Sequence, residues 1–159
     1  MCKRAICVVV VALGLMAFGS EAWAQKSRAS VSPAEVTGTF RHAFGGKFKG
    51  SSSDIKILSV GKGKVRVAFD LIYPFVDGYK ELEANIGQAD GEATIKGDTA
   101  IYRSNQFGKC SITIKFVRGG TIKVTQNGTE TDCGFGHNVY ADGTYKKVSS
   151  RKPSFKRDN

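Results

Sequence analysis

Apolar and polar side chains alternate along most of the chain between residues 36 and 148. The pattern is clearest where Val65, Val67 and Phe69 alternate with charged or small neighbours, and it recurs over residues 111–125. A period of two places one face of a segment in a core and the other face in water, as in a β-strand. No part of this region has a helical period, so the sequence predicts an all-β domain over residues 36–148.

Short turn signals separate these alternating runs. Glycine stands beside aspartate, asparagine or another glycine at intervals suited to hairpins, for example at Asp90-Gly91. These residues tolerate the positive backbone angles that tight turns require, and Pro74 favours a connection over residues 73–78. About eight or nine short antiparallel strands are therefore expected. The predicted strands are residues 36–44, 54–60, 64–71, 79–86, 92–96, 99–104, 111–117, 121–126 and 139–146.

A closed sheet is favoured over a sandwich, because closure removes exposed strand edges that would otherwise recruit other chains. The first predicted strand contains Gly38-Thr39-Phe40 and the last contains Gly143-Thr144-Tyr145. Such matching ends are expected if the two strands pair and close the sheet. The sequence therefore predicts a single small antiparallel β-barrel of the calycin-like kind.

The start of the chain has the three parts of a secretory signal peptide. Two basic residues precede an apolar run over residues 5–19, and small residues stand at Ala22 and Ala24. Ser20 and Glu21 cut the run short of the twenty or so apolar residues that a transmembrane helix needs. We expect cleavage after Ala24. The mature protein would then be periplasmic or secreted, without a transmembrane anchor, and would begin with a linker over residues 25–35.

Cleavage would leave Cys110 and Cys133 as the only cysteines. In an oxidising compartment a disulfide between them is the expected state. The bond would close a loop of about 22 residues and contribute on the order of 3 kcal/mol in the chain-entropy model. Two free buried thiols are the alternative.

The chain is strongly basic, with a formal net charge of +10 that falls to +9 when Lys3 and Arg4 leave together with Glu21. The end of the chain concentrates this charge, and its few apolar residues predict a disordered basic tail over residues 149–159. Attraction to an anionic envelope surface is one interpretation, a solubilising tail is the other, and no nucleic-acid-binding motif accompanies the charge. The candidate surface-binding residues are Lys146, Lys147, Arg151, Lys152, Lys156 and Arg157.

Catalysis is not indicated by any motif. His42 and His137 are the only histidines, which is too few for a recognisable metal site. No nucleophile-elbow motif occurs, and the glycine-rich segment 134–137 does not match a phosphate loop. Glu81 and Glu83 could reach the separation that glycosidases use, but such pairs are common on solvated strands. We therefore expect a protein without enzymatic activity, cofactor or metal.

Four segments from Gly97 onward are similar to those of a known family. They are Asp98-Thr99-Ala100-Ile101-Tyr102, Cys110-Ser111-Ile112-Thr113-Ile114-Lys115-Phe116, Asp132-Cys133-Gly134-Phe135-Gly136-His137-Asn138-Val139 and Gly143-Thr144-Tyr145. With them the chain resembles small exported bacterial β-domains, some of which are similar to the β-domain that follows the helical module in a class of periplasmic lysozyme inhibitors. The resemblance implies a barrel with a Cys110–Cys133 disulfide and, less strongly, lysozyme inhibition, although the helical module is missing here.

An inhibitor of lysozyme needs a contact surface whose charge suits that enzyme. Lysozymes are usually basic, so a basic inhibitor would need a locally acidic contact surface. Glu81, Glu83, Asp90 and Glu92 could supply one around the predicted turn at Asp90-Gly91. An ordinary solvated strand face is the alternative interpretation of these residues.

The best candidate contact loop consists of Gly134, Phe135, Gly136, His137 and Asn138. The glycines permit tight turns, the preceding cysteine anchors the loop, and the ring and polar groups could meet a partner. In the alternative, Phe135 only closes the open end of the barrel.

Two functions follow from these features. The first is a non-catalytic envelope protein that binds a macromolecular partner, such as lysozyme, through loops at one barrel end. The second is a lipocalin-like carrier of a small apolar ligand, which requires an internal cavity. Aromatic residues near the predicted loops could line the mouth of such a cavity or fill the core: Phe44, Phe48, Tyr73, Phe75 and Tyr79.

Overall fold

The computed structural model describes residues 30–155, which form a closed barrel of eight antiparallel strands in chain order. One helical turn, α1 (Pro33–Val36), precedes the barrel, and a 3-10 turn (Gly46–Phe48) follows the first strand. The prediction of a small antiparallel all-β barrel is confirmed. The predicted signal peptide lies outside the described residues. The strands are β1 (Gly38–Ala43), β2 (Ser52–Gly61), β3 (Lys64–Val76), β4 (Leu82–Lys96), β5 (Thr99–Ser104), β6 (Cys110–Val117), β7 (Thr121–Asn127) and β8 (Gly143–Ser149).

Pairing between the first and last strands closes the barrel. Phe40 of β1 lies opposite Lys147 of β8, and Arg41 lies opposite Lys146. Closure, predicted from the matching ends of the sheet, is therefore confirmed. Because every strand then has two neighbours, the edge that an open sheet would present to other chains is removed.

The alternating residues predicted to face inward fill the barrel interior. The ring of Phe69 lies 5.4 Å from that of Tyr102 and 6.4 Å from that of Phe135, measured between centroids. Nearer α1, the rings of Phe40 and Phe116 are 6.2 Å apart. An eight-stranded barrel has an interior just wide enough for side chains to fill, and large side chains occupy this one.

Strand β4 corrects the predicted pattern. Residues 79–86 and 92–96 were expected to be two strands around a turn at Asp90-Gly91, but β4 is continuous. Asp90 lies opposite Ala68 and Gly91 lies opposite Val67 in an unbroken register with β3. The glycine serves packing rather than turning, because a Cβ at this position would lie 3.0 Å from the Tyr102 ring.

The inner face of β4 is built only of small residues along this stretch: Gly87, Ala89, Gly91 and Ala93. Their partners on β3 are the large apolar residues Leu71, Phe69, Val67 and Val65. The missing side-chain volume on β4 makes room for aromatic rings that arrive from other parts of the chain.

Two further boundaries differ from the prediction. Strand β3 continues through Pro74 to Val76, where the sequence suggested a connection. Because β2 pairs with β3 only as far as Asp70, Pro74 lies on a strand edge, where proline is tolerated. The last strand begins at Gly143 rather than at residue 139, and it ends at Ser149.

Side chains take the place of backbone pairing just before β8. The Gln126 side chain accepts a hydrogen bond from the Ala141 N–H at 2.9 Å. In return, the Asp142 carboxylate accepts one from the Gln126 N–H at 3.1 Å. These two bonds satisfy the backbone where the expected extension of β8 would have paired with β7.

The antiparallel order sorts the connections into two groups. Long connections emerge at one end of the barrel, here called the loop end, and short turns lie at the other, here called the turn end, beside α1. The loop end consists of residues 44–51, 77–81, 105–109 and 128–142, and the turn end of residues 62–63, 97–98 and 118–120.

Candidate functional site

A disulfide ties the longest connection to the barrel. Cys110, the first residue of β6, is bonded to Cys133 within the loop 128–142, which confirms the predicted pairing. Both cysteines are buried. Just before Cys133, the Asp132 carboxylate accepts hydrogen bonds from the Thr129 N–H and hydroxyl at 2.9 and 2.8 Å, and these bonds lower the pKa of Asp132. The loop is therefore held at its base by covalent and polar contacts.

The predicted contact segment Gly134–Asn138 is docked against β4. Phe135 forms an isolated β-bridge with Gly87, and the Gly136 N–H donates to the Ile86 carbonyl at 3.0 Å. The Phe135 ring is only 7% exposed and belongs to the core. The ring therefore closes the barrel end, as in the alternative interpretation of this segment, and little of it is accessible to a partner.

His137 is the exposed side chain of this segment, with 78% of its surface accessible. Its Nδ1 lies 3.8 Å from the Glu130 carboxylate, and the Tyr140 hydroxyl donates to the same carboxylate at 2.5 Å. The Tyr140 bond is the main cause of the lowered pKa of Glu130, and it raises the pKa of Tyr140 in turn. Asn138, at φ 61°, is also exposed. Sequence reasoning singled out neither Glu130 nor Tyr140.

The hairpin of β3 and β4 extends beyond the barrel wall. Neighbouring strands cover only the part nearer the turn end, since β2 reaches Asp70 and β5 pairs with β4 only from Ala93 onward. We call residues 72–86 the projecting hairpin. Within it, β3 and β4 pair with each other, and the segment that contains Phe135 contacts β4 at the base of the hairpin.

The outer face of the projecting hairpin is entirely apolar. Cross-strand pairs in an antiparallel sheet place their side chains on the same face. Residues 65, 67, 69 and 71 of β3 face the interior, so the even-numbered residues that follow lie on the outer face. Its three pairs are Ile72 with Ile86, Pro74 with Ala84, and Val76 with Leu82. Ile86 is 63% exposed, and Tyr79 at the tip is 89% exposed.

Exposed large apolar side chains are concentrated at the loop end and on the projecting hairpin beside it. Within residues 30–155, seven of the nine such residues lie there, and only Val60 and Val148 lie near the turn end. Scattered apolar residues are normal on a protein surface, but a group of them marks an interaction site. The seven are Tyr73, Val76, Tyr79, Leu82, Ile86, Phe107 and Tyr140.

A surface depression of about 370 Å³ adjoins this group. Phe44 and Phe48, from the first connection, lie on one side of it, and Tyr73 and Phe75 lie on the other. Four of the five aromatic residues that the sequence placed near a barrel mouth thus line one surface depression. They line a shallow surface feature and not an internal cavity.

The four acidic residues that could have supplied one contact surface are divided. Glu81 and Glu83 lie exposed near the hairpin tip. Asp90 instead faces Arg66 at 3.8 Å, and Glu92 binds Lys64 at 2.8 Å. The expected cluster was wrong because its centre, the supposed turn at Asp90-Gly91, lies in mid-strand.

Lys147 was expected to bind anionic surfaces, and the structure corrects this. Its ammonium group donates three hydrogen bonds, to the carbonyls of Ala34, Glu35 and Thr37 at 2.9, 2.7 and 2.9 Å. An ammonium group has three donors, so all of them are used at the end of α1. Desolvation lowers the pKa of Lys147, while the charge of Glu35 opposes that shift.

The other predicted tail residues are placed differently. Lys146, Arg151 and Lys152 are exposed, and beyond them the Phe155 ring lies 4.6 Å from the guanidinium of Arg66. Lys156 and Arg157 lie outside the described residues. A surface role for this segment stays a prediction.

A second pocket lies between α1 and the turn end. Its volume is about 210 Å³, and its lining includes Val31, Phe40, Phe116 and Lys147. Across residues 30–155, no group of three or more His, Cys, Asp or Glu side chains could hold a metal ion. The same part of the chain contains no helix that is long and apolar enough to cross a membrane.

Comparison with protein-family models, with curated proteins and with solved structures found no match to this chain.

Proposed function

We propose that the protein is a non-catalytic, exported binding protein of the bacterial envelope, and that it binds a protein partner at the loop end. The observation that carries this proposal is the concentration of exposed apolar side chains there. Exposed apolar surface is costly in water, and on a monomeric protein a contiguous patch of it is often a binding site.

The composition of the loop end resembles that of a protein–protein interface. Such interfaces combine an apolar centre with a polar rim and are enriched in tyrosine and phenylalanine. The centre would be the exposed part of the outer face of the projecting hairpin, Val76, Leu82 and Ile86, since Pro74 on the same face is buried. Tyr79 and Tyr140 would be the aromatic anchors. His137 and the nearby glutamates would contribute to the rim.

Lysozyme inhibition is the sharpest form of this proposal. A basic enzyme would need an acidic contact, and the loop end carries acidic side chains near the hairpin tip and in the loop 128–142. Glu81 and Glu83 are exposed near the hairpin tip. Glu83 lies opposite Phe75, so it faces away from the apolar pairs, and the acidic contact would be on the other face of the hairpin. The resemblance to the β-domain of lysozyme inhibitors points in the same direction.

The packed interior argues against the carrier alternative. Rings fill the space that a lipocalin-like ligand would occupy, so a carrier would have to use a different pocket, such as the one beside α1. That pocket, of about 210 Å³ and lined by Val31 and Phe116 among others, is the feature that a small apolar ligand would need.

The test is an inhibition and binding assay against purified lysozymes of several types, with two matched variants of the exported protein. Leu82→Ser/Ile86→Ser removes apolar surface from the hairpin, and Val60→Ser/Val148→Ser removes exposed apolar surface from the turn end. We expect inhibition that the first variant loses and the second keeps, with both variants folded by circular dichroism.

If no lysozyme is inhibited, lysozyme inhibition is ruled out as the specific form of the proposal. The variants are then compared on whichever partner co-purifies from an envelope extract. Equal retention of that partner by both variants would overturn the loop-end proposal itself. Tight binding of a small apolar ligand, abolished by filling the α1 pocket with Ala34→Phe, would favour the carrier.

A further inference from the structure

The net positive charge of residues 30–155 comes from one half of the barrel. Residues 30–98, which contain β1 to β4, carry nine basic and nine acidic side chains. Residues 99–155, which contain β5 to β8, carry nine basic side chains and only three acidic ones. Those three, Glu130, Asp132 and Asp142, all lie in the loop 128–142, so β5 to β8 contain no carboxylate side chain at all.

The lysines of this half are close to one another on the outer face. Lys115 of β6 lies directly opposite Lys123 of β7, which in turn lies opposite Thr144 of β8. Directly opposed residues have Cβ atoms about 5 Å apart, and like charges in such a pair destabilise the sheet. Lys146 is the next outward residue of β8 after Thr144, so it extends the row.

Within residues 30–155, none of these three lysines is neutralised by a carboxylate. Lys115, Lys123 and Lys146 are exposed, and they form no ion pair with any residue in the range 30–155. The other half of the barrel behaves differently, because its outward charges are joined across strands. Its four ion pairs are Arg41–Asp54, Lys56–Asp70, Lys64–Glu92 and Arg66–Asp90.

We infer that this face, which we call the cationic wall, binds the phosphate headgroups of an anionic lipid surface. Its residues are Lys115, Lys123 and Lys146, with the threonines beside them at positions 113, 125 and 144. Lysine attracts phosphate as a point charge, and threonine hydroxyls can donate hydrogen bonds to phosphate oxygens. An anionic surface would also relieve the repulsion between the two opposed lysines.

The choice of a lipid surface over other polyanions follows from the shape and composition of the wall. Proteins that hold single-stranded nucleic acid combine a basic groove with aromatic side chains on which bases stack. The outward positions of β6 to β8 carry no aromatic side chain, and they lie on the convex side of a sheet. A row of lysines on such a face suits a lattice of headgroups, which juxtamembrane basic clusters recognise in the same way.

The cationic wall is separate from the loop end. Lys115, Lys123 and Lys146 lie toward the turn-end half of their strands, whereas the exposed apolar group lies beyond the other ends. Binding a lipid surface through the wall would therefore leave the loop end accessible to its partner, so the two proposals can be tested independently.

The test measures co-sedimentation of the full-length, exported protein with phosphatidylglycerol and with phosphatidylcholine vesicles. Lys115→Gln/Lys123→Gln/Lys146→Gln removes three charges from the wall. Lys47→Gln/Lys49→Gln/Lys80→Gln removes three charges from the loop end and serves as the matched control. Arg151→Gln/Lys152→Gln/Lys156→Gln/Arg157→Gln tests the tail.

We expect binding to phosphatidylglycerol only, with a steep decrease as salt rises. The wall variant should bind on the order of a hundredfold more weakly, since each lysine near a lipid surface contributes about fivefold. The loop-end variant should bind nearly as well as the wild type. Equal losses in these two variants would reduce the effect to net charge and overturn the inference. Loss in the tail variant alone, or stronger binding to a soluble sulfated polysaccharide than to vesicles, would overturn it as well.

Discussion

Adjacent residues can have opposite roles, and Lys146 with Lys147 is the clearest case. Lys146 points to solvent from β8, whereas Lys147 donates to three carbonyls around α1. Both residues were candidates for binding an anionic surface, and the last strand was predicted to end at Lys146. With β8 continuing to Ser149, the alternation of strand side chains places the two ammonium groups on opposite faces.

Lys147→Met should therefore destabilise the protein, whereas Lys146→Met should not. The first change leaves the carbonyls of Ala34, Glu35 and Thr37 without their donor, which costs about 1–3 kcal/mol of unfolding free energy. The second alters an exposed side chain and should change stability by less than about 0.5 kcal/mol. Urea unfolding of both variants measures the difference, and equal effects would contradict the capping role of Lys147.

The carboxylate of Glu130 gives a prediction about pH. Its pKa is lowered mainly by the hydrogen bond from Tyr140, so Tyr140→Phe should raise that pKa toward the ordinary value of a glutamate. A lowered pKa stabilises the folded state above the pKa of the unfolded chain, and this contribution is lost as pH falls through the lowered value. The stability difference between wild type and variant should accordingly shrink in acid.

Titration of the Glu130 carboxyl by NMR measures the shift directly. His137→Ala is the control, because His137 is the smallest contributor among the causes of the lowered pKa. A larger rise in that variant than in Tyr140→Phe would contradict the assignment.

Among the elements, β4 marks the limit of what local sequence could predict. Glycine beside aspartate is a strong hairpin signal. At position 91, however, glycine serves packing, because the Tyr102 ring leaves little space for a Cβ atom. Tyr102 lies on the next strand, β5, and no turn or strand signal around Gly91 reveals this contact. By contrast, β6 and β7 have large inward residues with polar outward neighbours, and their predicted bounds agree with the structure to within a residue.

Gly87→Ala tests how β4 accepts the loop that contains Phe135. A Cβ at residue 87 would lie 2.7 Å from a methyl carbon of Val139 and 2.9 Å from the Cβ of Phe135. Overpacking of this kind costs about 1–3 kcal/mol. Gly78→Ala is the matched control, since no atom lies within 4 Å of its added Cβ. The midpoint of thermal unfolding should be lower for Gly87→Ala than for Gly78→Ala. Similar midpoints would show that the loop can shift to accommodate the added Cβ at little cost.

For the whole molecule, the strand pattern, the closure and the disulfide were all predictable, because each depends on features that a sequence carries locally or by count. Period two defines strands, and two cysteines within residues 30–155 leave one pairing there. The candidate surface was not predictable to the same degree. Whether Phe135 or Tyr79 is exposed depends on which strands extend beyond their neighbours, and this is set by the pairing of distant segments.

Removing the disulfide should cost the molecule about 3 kcal/mol, as expected for a crosslink that closes a loop of this length. Cys110→Ala/Cys133→Ala, unfolded by denaturant beside the oxidised protein, measures the loss. Thiol labelling of the unreduced, unfolded wild type should find neither cysteine free. A variant as stable as the wild type would mean that packing around Phe135 alone holds the loop.

The unequal charge of the two barrel halves also gives the molecule a large electric dipole, directed across the barrel axis from β1–β4 toward β5–β8. A charged body with such a dipole experiences a torque as well as an attraction in a non-uniform field. Near a negatively charged surface, the protein would rotate before contact, within about a Debye length of 10 Å at 0.1 M ionic strength. Its approach would thus be oriented, and collisions that present the neutral half would become rare as ionic strength falls.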